Sequence, residues 1–459
     1  MMPRLAPLAL CGALLLAACT PPGNPSPDND ASNRWLAMAR ADTAAAPDSL
    51  GAWITRGCKR MARVDRECVE RSLYGVLDRS GVAKAMAALD VMAETNEQMR
   101  GESHPLAHGL GIAAYKSPET LATTFAACPN SQISGCYHGV LQGYFLDVRQ
   151  SGVEMTPGQL NGVCAVHLGK GNLWGQCVHG LGHGLMALLD NQLPSVLERC
   201  DQLTNPGARE GCYGGAFMEN IVAETHPEHT AASHARMSAA RPGTAQGEHA
   251  GMDHAAGHEG MDHGAMAGMD HSTMNHAGTS HGAPATPWKR LDANDPLYPC
   301  TAVAERYHYQ CYLIQTSAIL AQVSGDIPRT AQACARAPEN MVHVCYVSLG
   351  RDLTAFASRD PQRTSDLCQR AGDAAVPGCI RGAAVALVEV NQKPDDGLAL
   401  CRLAPEASRA GCYAGVAGTL PTNTPDPARR EALCASFDVA YQDTCRLNAR
   451  LTAPARRTR

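Results

Sequence analysis

Paired cysteines recur at a regular interval along this chain, and the repeat restricts its fold more than any other feature. In the C-terminal third, the two members of each pair stand eleven positions apart, and the first members recur every 33 or 34 residues. The five pairs are Cys300/Cys311, Cys334/Cys345, Cys368/Cys379, Cys401/Cys412 and Cys434/Cys445. A period of this length is typical of a helix-turn-helix unit that stacks on its neighbours to form a solenoid.

The same interval, slightly looser, continues toward the N-terminus. The pairs there are Cys58/Cys68, Cys128/Cys136, Cys164/Cys177 and Cys200/Cys212. The step of 60 positions from Cys68 to Cys128 leaves room for one cysteine-free unit, which we place near residues 83–116. Eighteen cysteines allow very many pairings, and the regular spacing favours a disulfide within each pair. Closing a loop of about eleven residues should contribute on the order of 3 kcal/mol to stability.

Local signals agree with helical hairpins. Asp360 is a good N-cap and Pro361 a good first helical residue, and the helix that they open is predicted to end near Gly372. Residues 424–427 open a similar helix before Cys434. Abundant Ala beside only five Phe and four Trp suits close-packed helices. We therefore predict an all-α solenoid of helical hairpins with one disulfide per repeat.

The pattern is similar to tetratricopeptide-like repeats, and especially to cysteine-rich secreted αα-repeat proteins with one disulfide per hairpin. The segments GCYHG at 135–139 and GCYGG at 211–215 carry this resemblance, which covers most of residues 50–450 in period and in disulfide placement. The resemblance implies an architecture with a concave binding face. Fold by itself does not settle function.

The beginning of the chain predicts export. Arg4 is followed by an apolar run that ends in LAAC at 16–19, which is typical of a secretory signal. The small residues before Cys19 resemble the lipobox of bacterial lipoproteins, which implies removal of residues 1–18 and lipidation of Cys19. An ordinary signal peptide with an incidental cysteine is the alternative. Because Thr20 is not the Asp that retains such lipoproteins at the inner membrane, we expect an outer-membrane anchor facing the periplasm.

Residues 19–48 read as a flexible tether. The net charge of −5 on 459 residues predicts no nucleic-acid partner.

A long insertion interrupts the repeat. The step from Cys212 to Cys300 is 88 positions, some 65 more than the repeat requires. Ten of the eighteen histidines lie within residues 226–281, and the segment has too little apolar bulk to fold alone. The predicted organisation is N-terminal repeats at 49–222, a disordered His/Met-rich insertion at 223–296 and C-terminal repeats at 297–450.

The His and Met side chains of the insertion predict a copper-binding tract. The candidate ligands are His249, Met252, His254, His258, Met261, His263, Met266, Met269, His271, Met274, His276 and His281. Thioether sulfur suits Cu(I), whereas imidazole suits Cu(II), Zn(II) and Ni(II). The Met-Asp-His repeats within 247–282 resemble the Met/His-rich tracts of periplasmic copper-resistance proteins, which implies copper, with zinc or nickel as alternatives. A low-complexity linker with incidental histidines is the competing interpretation.

A second set of histidines occupies equivalent positions in successive repeats. His138 and His179 each stand two positions after the second cysteine of their units, and His108 fits the same phase in the cysteine-free unit. His183 follows His179 by four positions, so both project from one helical face. We predict His138, His179 and His183 as metal ligands, with His108 in support. Packed helices lie about 8–10 Å apart, which limits how many units can converge on one ion.

Other residues near this set are weaker candidates. His104 and His108 have the same spacing, but Pro105 predicts that His104 is an N-cap. Met186 and Asp190 extend the face that carries His179 and His183. Gln142 and Glu219 lie at comparable depth in neighbouring units. The alternative is structural: the histidines would hydrogen-bond backbone at helix starts and pack beside glycines.

Three functional hypotheses follow. The first is an envelope lipoprotein that binds a transition metal, above all copper, through the tract and through a His-lined groove. The second is a helical-repeat scaffold for a protein or peptide partner in the envelope. The third is a metal-dependent hydrolase that uses an acid such as Glu219. Because no nucleophile or zinc-protease motif supports the third, no catalytic residue is assigned.

Overall fold

The computed structural model describes residues 27–42, 45–227, 230, 288–391 and 393–451. In these ranges the chain is all-α, apart from one two-stranded antiparallel hairpin, which confirms the predicted fold class. None of the helices there is long and apolar enough to cross a lipid bilayer. The predicted signal peptide and the lipidation site at Cys19 lie outside the described residues, as does most of the insertion, at 231–287.

Long and short helices alternate over much of the array. In the N-terminal half they are α1 Pro27–Ala41, α2 Pro47–Gly57, α3 Arg66–Ser80, α4 Val82–Thr95, α5 Glu97–Ala114, α6 Leu121–Ala126, α7 Gly135–Ser151, α8 Pro157–Val163, α9 Asn172–Leu188, α10 Leu193–Asp201 and α11 Pro206–Thr225, with strands β1 Lys59–Arg60 and β2 Arg63–Val64 between α2 and α3. In the C-terminal half they are α12 His308–Tyr312, α13 Thr316–Gln322, α14 Ile327–Cys334, α15 Glu339–Phe356, α16 Pro361–Gln369, α17 Val376–Asn391, α18 Pro394–Leu403, α19 Glu406–Asn423, α20 Pro427–Ala435 and α21 Gln442–Asn448.

Nine disulfides join the cysteines within each predicted pair. They are Cys58–Cys68, Cys128–Cys136, Cys164–Cys177, Cys200–Cys212, Cys300–Cys311, Cys334–Cys345, Cys368–Cys379, Cys401–Cys412 and Cys434–Cys445. In the repeats after α5, each bridge links the end of one short segment to the first two turns of the next helix. The prediction of one disulfide per hairpin is therefore confirmed for these repeats.

The cysteine-free unit is a helical pair without a loop. Helices α4 and α5 occupy 82–114, where the sequence predicts this unit, and a single residue, Asn96, separates them. The Asn96 side chain accepts a hydrogen bond from the Met99 backbone N–H, so the same residue ends one helix and caps the next. Because no loop has to be closed, this unit does not need a disulfide.

Helix starts follow the capping signals in the sequence. The Asp360 carboxylate accepts the Arg363 backbone N–H at 2.7 Å, and Pro361 is the first residue of α16. Asp426 caps α20 in the same way, with Pro427 in the first position. These confirmed starts orient each short helix for its hairpin.

The longer helices pack side by side in chain order. Helices α5, α7, α9 and α11 contact each other in succession, the pair α12 and α13 continues the row, and α15, α17 and α19 follow. The array also curves back on itself, because α17 contacts the turn Gln132–Ser134 of the N-terminal half. This curvature places the C-terminal repeats beside the histidine-bearing helices.

Part of the segment expected to be a tether is helical. Helix α1 occupies residues 27–41 of the segment predicted as flexible, because its apolar side chains find a surface to pack on. Leu36 is buried against Gly57, where an added Cβ on the glycine would lie 2.7 Å from the Leu36 Cγ. The Arg56 guanidinium stacks over the Trp35 ring.

The structure also describes residues at both ends of the segment expected to be the insertion. Helix α11 continues to Thr225, and described structure resumes at Trp288. The Trp288 indole N–H donates to Asn220 Oδ1 at 3.1 Å, and its ring stacks on Tyr298. An indole with its N–H satisfied is a strong anchor, so residues 288–296 belong to the folded array.

Candidate metal centre

Five histidines from three successive long helices meet in one cluster. His104 and His108 lie on α5, His138 on α7, and His179 and His183 on α9. The His138 ring centroid is 4.5 Å from that of His183, 5.0 Å from His179, 5.2 Å from His108 and 6.0 Å from His104. All three units therefore converge, and His138 stands between two pairs.

Glycines allow this convergence. A Cβ on Gly139 would lie 2.1 Å from the His108 carbonyl oxygen, and a Cβ on Gly215 would lie 1.9 Å from the His179 carbonyl oxygen. Helices α5 and α7, like α9 and α11, are thus in backbone contact where a larger residue would hold them apart. Of the glycines that follow the repeat-phase histidines, Gly139 makes such a contact, whereas Gly180 faces the Leu141 side chain.

The prediction that His104 is an N-cap is wrong. Helix α5 starts at Glu97, about two turns earlier, and contains Pro105 in its interior. Asn96 supplies the cap instead. His104 is therefore a helical residue, and its Nε2 lies 3.2 Å from the Nε2 of His108, one turn away.

Fixed acceptors decide the tautomers of two histidines. The His104 Nδ1–H donates to the Gln132 carbonyl at 2.7 Å, and the His183 Nδ1–H donates to the Glu219 carboxylate at 2.8 Å. A carbonyl or a carboxylate oxygen can only accept, so each Nδ1 carries the proton. Each Nε2 is left with its lone pair directed at the neighbouring histidine.

A glutamine decides the tautomer of a third histidine. The Gln142 amide N–H donates to Glu219 at 3.2 Å, so the amide oxygen of Gln142 is turned toward His108. His108 Nδ1 donates to that oxygen at 3.0 Å, and its Nε2 also carries a lone pair. Gln142 and Glu219 therefore position histidines on both sides of the cluster.

The Nε2 separations match those of two ligands on one ion. They are 3.2 Å for His104/His108 and 3.3 Å for His179/His183. Metal–nitrogen bonds of 2.0–2.1 Å at a tetrahedral angle place two nitrogens about 3.3 Å apart. The neutral His104/His108 pair cannot close this contact as a hydrogen bond, because both nitrogens are acceptors. The His179/His183 pair can, if His179 carries its proton on Nε2.

His138 is the least satisfied residue of the cluster. Its side chain is 2 % exposed, and neither ring nitrogen has a hydrogen-bond partner. Leaving a buried polar group unsatisfied costs about 1–3 kcal/mol, so native proteins rarely do so without a functional reason. Both nitrogens are available to a ligand.

Burial keeps these imidazoles neutral. It lowers the pKa of His104 and of His183, and it lowers the pKa of His138 well below the ordinary value, with further lowering from the surrounding histidines. The pKa of His179 falls to about 3, chiefly through burial and then through His183, His104 and Arg351. Neutral imidazole is the form that binds metal.

Backbone strain is concentrated beside the cluster. Gln132, Ile133 and Ser134 have φ values of 51°, 51° and 62°, in the left-handed region that non-glycine residues rarely adopt. Such residues cost of order 1–3 kcal/mol each and cluster at functional sites. Here the strained turn carries the Gln132 carbonyl to His104, a contact that sequence analysis did not anticipate.

Two sets of three histidines among the described residues could each hold an ion. In each set, one ligand atom per residue lies within 4.8 Å of the others; the sets are His104/His108/His138 and His138/His179/His183. Met186 is buried on α9, whereas Asp190 is exposed and pairs with Arg149 away from the cluster. The candidate ligands of the tract, from His249 to His281, lie outside the described residues.

Comparison with known proteins gives no relative for this chain. No protein family, curated protein or solved structure matches the chain.

Proposed function

We propose that this protein binds a transition metal in the five-histidine cluster. The observation that carries the proposal is the pair of Nε2 lone pairs on His104 and His108, which face each other at 3.2 Å with both Nδ1 protons committed elsewhere. A metal ion relieves the repulsion between two lone pairs, whereas two neutral imidazoles in these tautomers cannot form a hydrogen bond. Histidines that donate Nδ1–H to carbonyl, amide or carboxylate oxygens are the usual arrangement around bound metals.

Copper is the proposed physiological metal, with zinc or nickel as alternatives. Imidazole ligands suit all three ions, and the Met/His-rich tract adds thioethers, which favour Cu(I). In this proposal the tract gathers copper weakly, and the cluster holds it more tightly because its ligands are already oriented.

The proposed location is the cell envelope, with attachment through a lipid on Cys19. Nine disulfides support an oxidising compartment, because cytosolic thiols are kept reduced. Hydrolysis is less favoured, since Glu219 already accepts from His183 and Gln142 and serves to orient them.

The test is copper retention after exhaustive desalting against a weak chelator. Wild-type protein, a variant lacking residues 247–281 and the full-length double variant His104→Ala/His108→Ala are loaded with Cu(II) and measured by mass spectrometry. We expect the deletion to keep its tightly held copper and the double variant to lose at least one ion relative to wild type. The matched control is His308→Ala, in the C-terminal half and outside the cluster, which should retain wild-type copper.

If the deletion variant retained no copper, the cluster would not be a metal site. The helical-repeat scaffold for an envelope partner would then be the better interpretation.

A further inference from the structure

We propose that the cluster is a dinuclear centre in which the imidazole ring of His138 bridges two metal ions. The inference rests on the proposed metal-binding function and deepens it. Each ion would be held by one histidine pair together with one ring nitrogen of His138. Each would thus have three nitrogen ligands and an open position for water or a small molecule.

Sharing of His138 is the first argument. The two three-histidine sets have this residue, and only this residue, in common. An imidazole has two nitrogens on opposite sides of its ring, and both nitrogens of His138 are buried without a hydrogen-bond partner. A mononuclear site would use one of them and leave the other unsatisfied, at the cost that such groups carry.

Orientation of both pairs by neighbouring groups is the second argument. The His104/His108 pair is oriented by the Gln132 carbonyl and by Gln142, and His183 is oriented by Glu219. Each pair already has its Nε2 atoms at the spacing of two ligands on one ion. Each pair is therefore already arranged as two ligands of one ion.

Charge is the third argument. Two divalent ions joined through one ring would lie about 6 Å apart, given metal–nitrogen bonds of about 2 Å, and would repel each other in a buried site. Formation of the second metal–nitrogen bond displaces the remaining N–H proton of His138 to solvent. The resulting imidazolate places a negative charge between the ions.

The test uses full-length protein and Cu(II), so that the tract contributes the same background throughout. Copper per chain is compared between wild type, the pair variants His104→Ala/His108→Ala and His179→Ala/His183→Ala, and the variant that combines all four. We expect each pair variant to lose one ion and the combined variant to lose two.

Electron paramagnetic resonance supplies the second readout. Two Cu(II) ions bridged by imidazolate are antiferromagnetically coupled, so the integrated signal of the wild type should fall short of its copper content by about two ions per chain. The shortfall should vanish in His138→Ala and in either pair variant, and it should persist in the α7 control Tyr137→Phe. Because the pair variants keep His138, they test the coupling even if His138→Ala does not fold.

The outcomes separate the two proposals. A loss of one ion in the combined variant, or a full uncoupled signal in the wild type, would overturn the dinuclear centre and leave a mononuclear metal site. No loss in any variant would overturn the metal site itself.

Discussion

At the scale of single residues, Glu219 acts through other side chains. It lies on α11, one helix beyond the histidines, yet its carboxylate accepts from His183 and from Gln142. It therefore fixes the tautomer of His183 directly and that of His108 through the amide orientation of Gln142. One buried carboxylate thus fixes which ring nitrogen carries the lone pair in a histidine of each three-histidine set.

Replacing Glu219 should weaken metal binding without changing any ligand. In Glu219→Leu, the Nδ1 of His183 loses its acceptor, and the Gln142 amide is free to turn its N–H toward His108. We expect a tenfold to hundredfold loss of affinity, measured by competition with a chromophoric chelator. Glu219→Gln, which retains an acceptor oxygen, should recover part of the loss.

The control is Glu224→Gln, on the same helix, where the carboxylate is half-exposed and pairs with Arg290. It should bind metal as the wild type does. Equal affinities for Glu219→Leu and this control would show that Glu219 does not orient the histidines.

At the scale of helices, the site depends on how closely α5 and α7 approach each other. Side chains normally hold packed helices about 8–10 Å apart, which would separate imidazoles on neighbouring helices. Gly111 and Gly139 face each other across this interface and bring the two backbones into contact. The disulfide Cys128–Cys136 spans the strained turn just before α7 and ties the start of that helix.

Gly139→Ala should disturb packing and binding together. The new methyl would lie 2.1 Å from the His108 carbonyl oxygen, which is backbone and cannot turn aside, so the helices must separate. We expect destabilisation of roughly 1–3 kcal/mol or more and at least a tenfold loss of metal affinity, measured by thermal unfolding and chelator competition.

Gly162→Ala on α8 provides the comparison, because its new methyl would meet nothing within 4 Å and the residue is exposed. It should leave affinity unchanged and stabilise the protein by up to about 1 kcal/mol. If Gly139→Ala behaved in the same way, close helix contact would not be required.

At the scale of the whole molecule, the curvature of the array encloses the histidines. Helix α17 contacts the turn Gln132–Ser134, and the charge of Arg351 on α15 is among the causes that lower the pKa of His179. Glu389 on α17 has a raised pKa because the surrounding protein desolvates it. The C-terminal repeats thus lie beside the cluster, whose candidate ligands all come from the N-terminal half.

The metal-free protein should lose stability in acid. In His104, His138, His179 and His183 the folded pKa lies below the unfolded value of about 6.5. Below pH 6.5 the unfolded chain therefore takes up protons that the folded chain excludes. The free energy of unfolding is fully retained above pH 6.5 and falls at lower pH, by up to about 1.4 kcal/mol per pH unit for each histidine.

Urea unfolding of the chelator-treated, disulfide-intact protein between pH 5 and 7.5 measures this slope. His138→Leu should lower the number of protons taken up on unfolding by about one, and the slope of unfolding free energy against pH should fall in proportion. The variant should be as stable as the wild type or more so, because it removes two unsatisfied buried nitrogens. Tyr137→Phe should keep the wild-type slope. A pH-independent free energy of unfolding would contradict neutral, buried histidines.

The sequence by itself determined the parts of this protein that depend on near neighbours. A disulfide between Cys334 and Cys345 closes a short loop, and the pair His179/His183 shares a face because one helical turn separates them. Both are set by local spacing, and the repeat extends them along the chain. The cap at Asp360 was predictable for the same reason.

The tertiary structure alone decided what meets across the array. It brings the Gln132 carbonyl to His104 and Glu219 to His183, over 28 and 36 positions, and it includes His104 in a helix where Pro105 suggested a boundary. These contacts depend on the curvature of the stacked hairpins and on glycine-permitted helix spacing. Both arise from packing between units, which no local pattern encodes.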